Sequence, residues 1–377
     1  MGDLCNVLMC KRILASQTNT EEGVPFYKIG TIGNTPDAYI SQELFDEYKA
    51  KYNYPHKGEV MITCAGTVGK CVIYDGKDAY YQDSNIVWID NPSQYITNEF
   101  LYHLLYKVDW RKLNSTTIIR IYNDDLRNLK LNYPQIEEQQ KISRLQSLLD
   151  ERIATQSKII DKLQSLIKGM EDNLLDNPLW EKTYLRSFMQ FFPTNSLSWE
   201  QLSYKEGGIR NLHYGLIHGF QTRGINSASL PMIKNEAVPK QYILCQVGDV
   251  AFADASEDTG EIAKSVEFVD TIEGDTICGL HTIHGRDIKN RTVVGFKGFA
   301  FNSRYFHNQI KRLAQGTKVF SITANNLSSC YVYLPDLETQ KAIVNLLKTY
   351  EAKLLVSKRL LEHYEKQKQY LLRQMFI

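Results

Sequence analysis

Long apolar runs are missing from this chain of 377 residues. A helix that crosses a bilayer needs roughly 20 consecutive apolar residues, so no membrane span is expected. The first residues, MGDLCNVLMCKRILAS, have neither a basic start nor an extended apolar stretch and do not read as a secretory signal. The expectation is a cytoplasmic protein. Cysteine is present but poorly placed for metal. The seven cysteines include no C-x-x-C, and the closest pairs, Cys5 with Cys10 and Cys64 with Cys71, lack the clustering of a zinc site. His281 and His284 form an H-x-x-H without a nearby Cys or Glu ligand pattern. Reduced thiols and no metal are expected. An excess of either charge is also absent: 44 Lys and Arg stand against 43 Asp and Glu. That balance neither announces nor excludes a nucleic-acid partner, because affinity follows the local distribution of basic residues.

Catalytic and cofactor motifs are equally scarce. The segment CAGTVGKC, Cys64 to Cys71, follows a strand-like run and suggests a loop that holds a phosphate. A nucleotide loop requires G-x-x-x-x-G-K-[ST], whose four intervening residues let backbone N–H groups wrap the phosphates. Here only Thr67 and Val68 separate Gly66 from Gly69, and Cys71 replaces the hydroxyl that would hold magnesium. A plain turn between two strands, or a turn whose backbone and Lys70 approach DNA, are the readings left. NPSQY at Asn91 and NPLW at Asn177 imitate the N-P-P-[FYW] of amino-methyltransferases but lack the second proline. No F-x-G-x-G or G-x-S-x-G segment occurs. The acidic run Asp254, Glu257, Asp258, Glu261 lacks a D-x-D-x-D-G pattern and reads as a solvated loop. No cofactor is expected.

What the chain does have is a repeat. STTIIRIYNDDLRNLKLNYPQIEEQQKISRL, from Ser115, aligns with GTKVFSITANNLSSCYVYLPDLETQKAIVNL, from Gly316, at a constant offset of 201 with no gap. Identities include Thr116/Thr317, Ile121/Ile322, Leu126/Leu327, Pro134/Pro335, Gln139/Gln340, Ile142/Ile343 and Leu145/Leu346. Each copy ends in a long helix, with Pro134 or Pro335 at its entry, where a first-turn proline is tolerated, and Glu137, Glu138 or Glu338 near its positive end. Apolar residues then recur at steps of three and four: Ile142, Leu145, Leu149, Ile153, Ile160 and Leu163 in one copy. Ile343, Leu346, Tyr350, Leu354 and Leu361 follow the same rhythm in the other, a coiled-coil-like seam. Gln156 and Ser357 interrupt both stripes at one repeat position. A helix from about Ile136 to Leu175 would be roughly 60 Å long at ~1.5 Å per residue, long enough to act as a spacer.

The remaining segments have a different texture, with short runs such as GEVMIT, CVIY, NIVWI and RTVVGF between Gly, Asn and Asp punctuation. The fold class expected is α+β: two mixed β-rich domains separated by two long helices packed as an antiparallel coiled coil, with an internal pseudo-twofold repeat. The division is 1–133 and 177–334 for the globular domains, and 134–176 and 335–377 for the helical regions. Candidate DNA contacts come from polar and aromatic loops, whose side chains suit base edges and phosphates. In the first copy they are Lys28, Thr67, Lys70, Asn85, Thr117 and Arg120. GGIRNLHYGLIHG adds Arg210, Asn211, His213, Tyr214 and His218; CGLHTIHGR adds His281 and Thr282, and GTKVFSI adds Lys318.

This arrangement resembles the specificity subunit of type I restriction-modification systems. The resemblance rests on the helix entries YPQIEEQQKI and LPDLETQKAIV, and on VPFYKIGTIG, KGEVMITCAGTVGK, GGIRNLHYGLIHG, GDVAFADASED and GLHTIHGR. It implies two target recognition domains, each reading half of a bipartite double-stranded DNA sequence, and helices that fix the gap between the halves. It also implies that the helices, through residues such as Ile142, Leu145, Leu149, Leu163, Ile343, Leu346, Leu354 and Leu361, form the spacer and dock two methyltransferase subunits. Restriction subunits would join through the assembled complex, and the chain would have no catalytic activity of its own. Two other classes stay open on the residues alone: a nucleotide- or metal-dependent enzyme using the Lys70 or Asp254 loop, and a two-domain protein adaptor on a coiled coil.

Overall fold

Runs such as GEVMIT are apolar at successive positions, which suits a strand covered on both faces. In the computed structural model, which describes residues 1–93, 95–112, 120–220, 223–270 and 274–375, they form the centres of sheets. The chain makes two compact units, Met1–Gln156 with Leu361–Ile377, and Ser157–Leu360. The domain segments expected from texture keep the helices apart from the globular parts. Packing groups them otherwise, because each unit uses part of both helices in its core.

In the first unit a four-stranded antiparallel sheet runs Asn6–Leu8, Ile86–Asp90, Val60–Thr63, Cys71–Ile73. On one face Val60, Ile62, Val87 and Ile89 pack against Phe100, Leu101 and Leu105 of the helix Asn98–Lys107. On the other, Met61 and Trp88 join Phe26, Ile40, Phe45 and Tyr80. A three-stranded sheet, Tyr39–Ile40, Val24–Tyr27, Tyr80–Tyr81, closes that side. Ser41 and Thr97 begin the two main helices by accepting N–H bonds from Leu44 and Phe100.

The second unit repeats the plan with a larger sheet: Gly224–Ile225, Ser265–Phe268, Val250–Ala253, Thr282–Asp287, Met189–Phe192. Its central strand, Val250–Ala253, again has two buried faces. Val250 and Phe252 meet Phe296, Phe299 and Phe306, while Ala251 and Ala253 meet Leu212, Ile217 and Phe268. The parallel pair Val24–Tyr27 with Tyr80–Tyr81 has its counterpart in Arg210–Leu212 with Thr276–Cys278. Entry to the central strand is the same in both units. Gly58 and Gly248 adopt φ of 92° and 90°, where a side chain would strain the backbone. Glu59 then accepts the His56 N–H at 2.6 Å, and Asp249 that of Gln246 at 2.8 Å.

The long helices span Ile136–Leu175 and Leu337–Met375, the first with the bounds expected. Within the first unit Asp150 pairs with Lys368, and Ile142 shares a core with Leu372. Within the second, Leu175 shares a core with Ile343, Val344 and Leu347. Burial pushes the Glu351 carboxyl up to about 7, and Glu171 on the other helix pushes the same way. Numbers rise on one helix as they fall on the other, so the pair is antiparallel in each unit. Among the described residues no helix is long and apolar enough to cross a membrane.

Candidate nucleic-acid interface

Each central strand ends in a loop junction built on one backbone frame. In the first unit the Cys64 N–H donates to the Asn85 carbonyl at 2.8 Å, and the Cys64 carbonyl accepts the Ile121 N–H at 2.9 Å. In the second, the Asp254 N–H donates to the His281 carbonyl and the Asp254 carbonyl accepts the Ile322 N–H, both at 3.0 Å. Ile121 and Ile322 are partners in the repeat. Three segments therefore converge in each unit: the end of the central strand, the turn before the next strand, and the stretch before a short helix.

In the first junction CAGTVGKC is the turn of an antiparallel hairpin between Val60–Thr63 and Cys71–Ile73. Gly69 donates its N–H to the Thr63 carbonyl at 2.8 Å, and the Lys70 N–H reaches Thr63 Oγ1 at 3.0 Å. Gly69 has φ of 82°, and a Cβ there would strike the Trp110 ring, so the tight turn needs glycine. Thr67 is exposed at its tip and Asn85 is half-buried beside it. Lys70 is half-buried, and its ammonium donates to the Ile32 carbonyl. Arg120 lies 3.4 Å from Ser84 Oγ with its guanidinium 5.9 Å from the Tyr122 ring centroid. Lys28 is half-buried and paired with Asp37 at 3.0 Å. Its neighbour Ile29 donates an N–H to Gln82 Oε1 at 3.4 Å, which ties that loop to the same junction. Thr117 lies outside the described residues.

The second junction is richer in histidine. His281 is half exposed, holds φ of 53°, and places Nδ1 3.0 Å from Asp254 Oδ1. The Tyr214 ring stands edge-on to it at 5.3 Å. His218 Nδ1 is 3.4 Å from Glu261 Oε2, and Lys264 Nζ is 3.0 Å from the same oxygen. Burial pushes the Glu261 carboxyl up, but the bonds from Lys264 and His218 outweigh it and hold the carboxyl below its usual range. Lys318 is exposed in the loop whose ends pair at Gln315 and Ser321. Arg210 is half-buried and donates to the Ala228 carbonyl at 2.8 Å.

Three expected contacts are inside the protein. Asn211 is fully buried, with Oδ1 accepting from Asn195 Nδ2 at 2.8 Å. Thr282 is buried and donates to the Gly279 carbonyl at 2.6 Å. His213 is buried, its pKa lowered by burial and then by His281. Its Nδ1 accepts the Gly215 N–H at 3.2 Å to begin the helix Tyr214–Gly219. Each of the three makes a hydrogen bond inside the protein. Tyr122 and Trp199, which reading by residue type does not single out, are both exposed, the latter with its ring 4.4 Å from that of His213. Nor does it single out Arg12, which is exposed and 2.6 Å from Asp83 in the turn before Ile86. An aromatic beside a basic residue, as in RIYN, was the one available signal.

The helix residues named as spacer or docking positions divide in two. Ile142, Leu149 and Ile343 are buried, and Leu163, Leu354 and Leu361 are half-buried. Leu145 and Leu346, partners in the repeat, are instead 39% and 41% exposed. Ile159 and Leu360, also repeat partners, are 41% and 38% exposed. Two heptads separate Leu145 from Ile159 and Leu346 from Leu360, so each helix carries outward apolar positions at one phase of the repeat.

The comparisons agree with this duplicated plan. A family described as type I restriction modification DNA specificity domain matches residues 1–165 and again 225–365. A type I restriction enzyme specificity subunit of Haemophilus influenzae, S.HindORF215P, is 47% identical over 174 residues, which is 46% of this chain and 42% of that protein. The MjaX specificity subunit of Methanocaldococcus jannaschii is 25% identical over 94% of this chain and 87% of its own length. Both relatives carry these names as provisional assignments. Among solved structures, a type I restriction-modification S subunit from M. genitalium superposes with a TM-score of 0.61 at 15% identity. That match covers 100% of this chain and 94% of the other.

Proposed function

This chain belongs to the type I restriction modification DNA specificity family and carries its domain twice; from that premise we propose that each unit reads one half of a bipartite duplex target. The observation that carries the reading is the pair of loop junctions, in which one backbone frame presents different side chains. Thr67, Asn85 and Arg120 are offered by one frame; Tyr214, His218, His281 and Lys318 surround the other. A shared scaffold with unlike loops is what two readers of unlike half-sites require. The antiparallel long helices set the unspecified gap between the halves. The outward apolar positions at Leu145, Leu346, Ile159 and Leu360 dock methyltransferase subunits, and their recurrence in both copies fits two of them. Restriction subunits join through that complex, in the cytoplasm, and catalysis belongs to these partners rather than to this chain.

Selection from a random duplex pool tests this, using the chain with its cognate methyltransferase subunit. Enrichment of a split motif with a fixed gap supports the reading, and binding without any enriched motif overturns it. Inserting one heptad in both helices should then lengthen the gap and leave both half-sites unchanged; altered half-sites would show that the helices are not the ruler.

A further inference from the structure

Beneath the second junction lies a cluster that DNA reading does not use. Cys245, Cys278 and His284 are all buried, and one ligand atom from each lies within 4.8 Å of the others. The two Sγ atoms are 3.6 Å apart. Two thiolates on one tetrahedral zinc, each at ~2.3 Å, stand about 3.8 Å from each other, so the pair already has the spacing of co-ligands. His284 Nε2 is 2.7 Å from Asp249 Oδ2. Asp249 is itself held by Arg286, whose Nε and a terminal nitrogen approach at 2.8 and 2.7 Å. With Nε2–H donated to a carboxylate, the ring keeps Nδ1 as its lone-pair donor, and such a carboxylate behind a histidine fixes both tautomer and ring orientation in metal sites.

We propose that Cys245, Cys278 and His284 bind a thiophilic divalent cation of the zinc class, with Asp249 orienting the histidine. The first unit shows what is peculiar to the second. Glu59 and Asp249 do the same turn-closing work, yet opposite Met61 the first unit has Trp88, where opposite Ala251 the second has His284. One copy fills the position with a large ring; the other brings two thiols and an imidazole to it. Charge also balances: two thiolates neutralise the cation, and Asp249 is already matched by Arg286. Soft sulfur ligands with imidazole select zinc over magnesium or calcium. The cation joins three segments, because Cys245 precedes the central strand, Cys278 ends the strand Thr276–Cys278, and His284 lies within Thr282–Asp287. Cys278 and His284 flank the turn that carries His281. Its role is to hold that turn in its reading position.

The full chain, purified without chelator and dialysed against zinc chloride and then metal-free buffer, should retain about one zinc per chain by elemental analysis. Titration with an organomercurial should release that zinc in step with two thiols, a readout on the wild type that needs no folded variant. Cobalt(II) loading should give a thiolate charge-transfer band, absent in Cys245→Ser and Cys278→Ser. His281→Ala should keep its zinc, since only His284 of the H-x-x-H faces the thiols. Retention below a tenth of an equivalent, or an intact mass two daltons light from a Cys245–Cys278 disulfide that persists under reductant-free native handling, would overturn the proposal.

Discussion

Gln139 and Gln340, repeat partners, make the same three hydrogen bonds. Gln139 Nε2 donates to the Tyr95 and Pro134 carbonyls, each at 2.8 Å, while Oε1 accepts the Thr97 N–H at 2.9 Å. Gln340 Nε2 donates to the Arg291 and Pro335 carbonyls, each at 3.0 Å, and Oε1 accepts the Val293 N–H at 3.0 Å. Both side chains are buried. Each fastens the start of a long helix to the loop of its own unit, which gives the identity at this position a physical reason. Leucine would leave two carbonyls and one N–H without partners, so Gln139→Leu and Gln340→Leu should each cost about 2–3 kcal/mol in urea unfolding. Gln139→Glu should cost at least as much, because a carboxylate cannot donate to two carbonyls. A neutral Gln→Glu result would refute this role.

The helices show how far sequence alone reaches. Pro134 and the apolar period placed the first helix at Ile136–Leu175, because start signals and periodicity are local. Which residues face inward depends on the partner surface. Leu145 and Leu346 belong to the apolar stripe yet are exposed, while the neighbouring Gln146 and Leu347 are fully buried. The loops were legible as polar segments between strands, but burial of Asn211 and Thr282 depends on which strand covers them. Cys245, Cys278 and His284 are far apart or unpatterned along the chain, so no spacing rule finds them; the fold alone brings them together.

The exposed leucines give a separable prediction. Leu145→Asp and Leu346→Asp should leave urea unfolding within about 0.5 kcal/mol of the parent, since surface substitutions cost little. Size-exclusion chromatography with the methyltransferase subunit should show weaker complex formation for either single variant, and loss of most bound partner for the double. Unchanged assembly would remove these residues from the docking surface.

Lys297 and Glu267 form an ion pair at 2.9 Å with both side chains almost wholly buried. Lys297 also donates to Thr292 Oγ1, and Glu267 Oε2 accepts the Gly298 N–H at 2.8 Å. Replacing only one partner strands a charge in the core, so Lys297→Met should lose about 3–5 kcal/mol. Lys297→Met combined with Glu267→Gln should recover part of that loss, because no ion is then left unpaired. Equal instability of the single and double variants would argue against charge burial as the cause.

Glu351 supplies a pH signature. Burial raises its carboxyl to about 7 from 4.5, opposed by Arg223 and Lys348 and reinforced by Glu171. The folded state therefore holds a proton that the unfolded chain releases, and by linkage this group's contribution to stability falls as pH rises from about 4.5 to about 7. Below that window both states are protonated and the penalty vanishes; above it the full penalty applies. At 1.36 kcal/mol per pH unit the ceiling is about 3 kcal/mol, and partial solvation makes 1–2 the expected size.

Glu351→Gln should thus gain stability over the parent at pH 8 and match it near pH 5, as read from urea midpoints at each pH.

Arg120 separates reading from folding. It is half-buried at the first junction, beside Ser84 and Tyr122 and with no counterpart charge in the repeat, where Ser321 stands. Arg120→Ala should weaken duplex binding by about 1–3 kcal/mol if the guanidinium meets a base edge, and relax preference only within the half-site read by the first unit. If it meets a phosphate instead, binding should weaken uniformly across sequences and the salt dependence should fall by about one counterion. Tyr214→Ala should act on the opposite half-site alone. Selection with each variant measures both outcomes at once, and a change in both half-sites from either single substitution would contradict the assignment of one half-site to each unit.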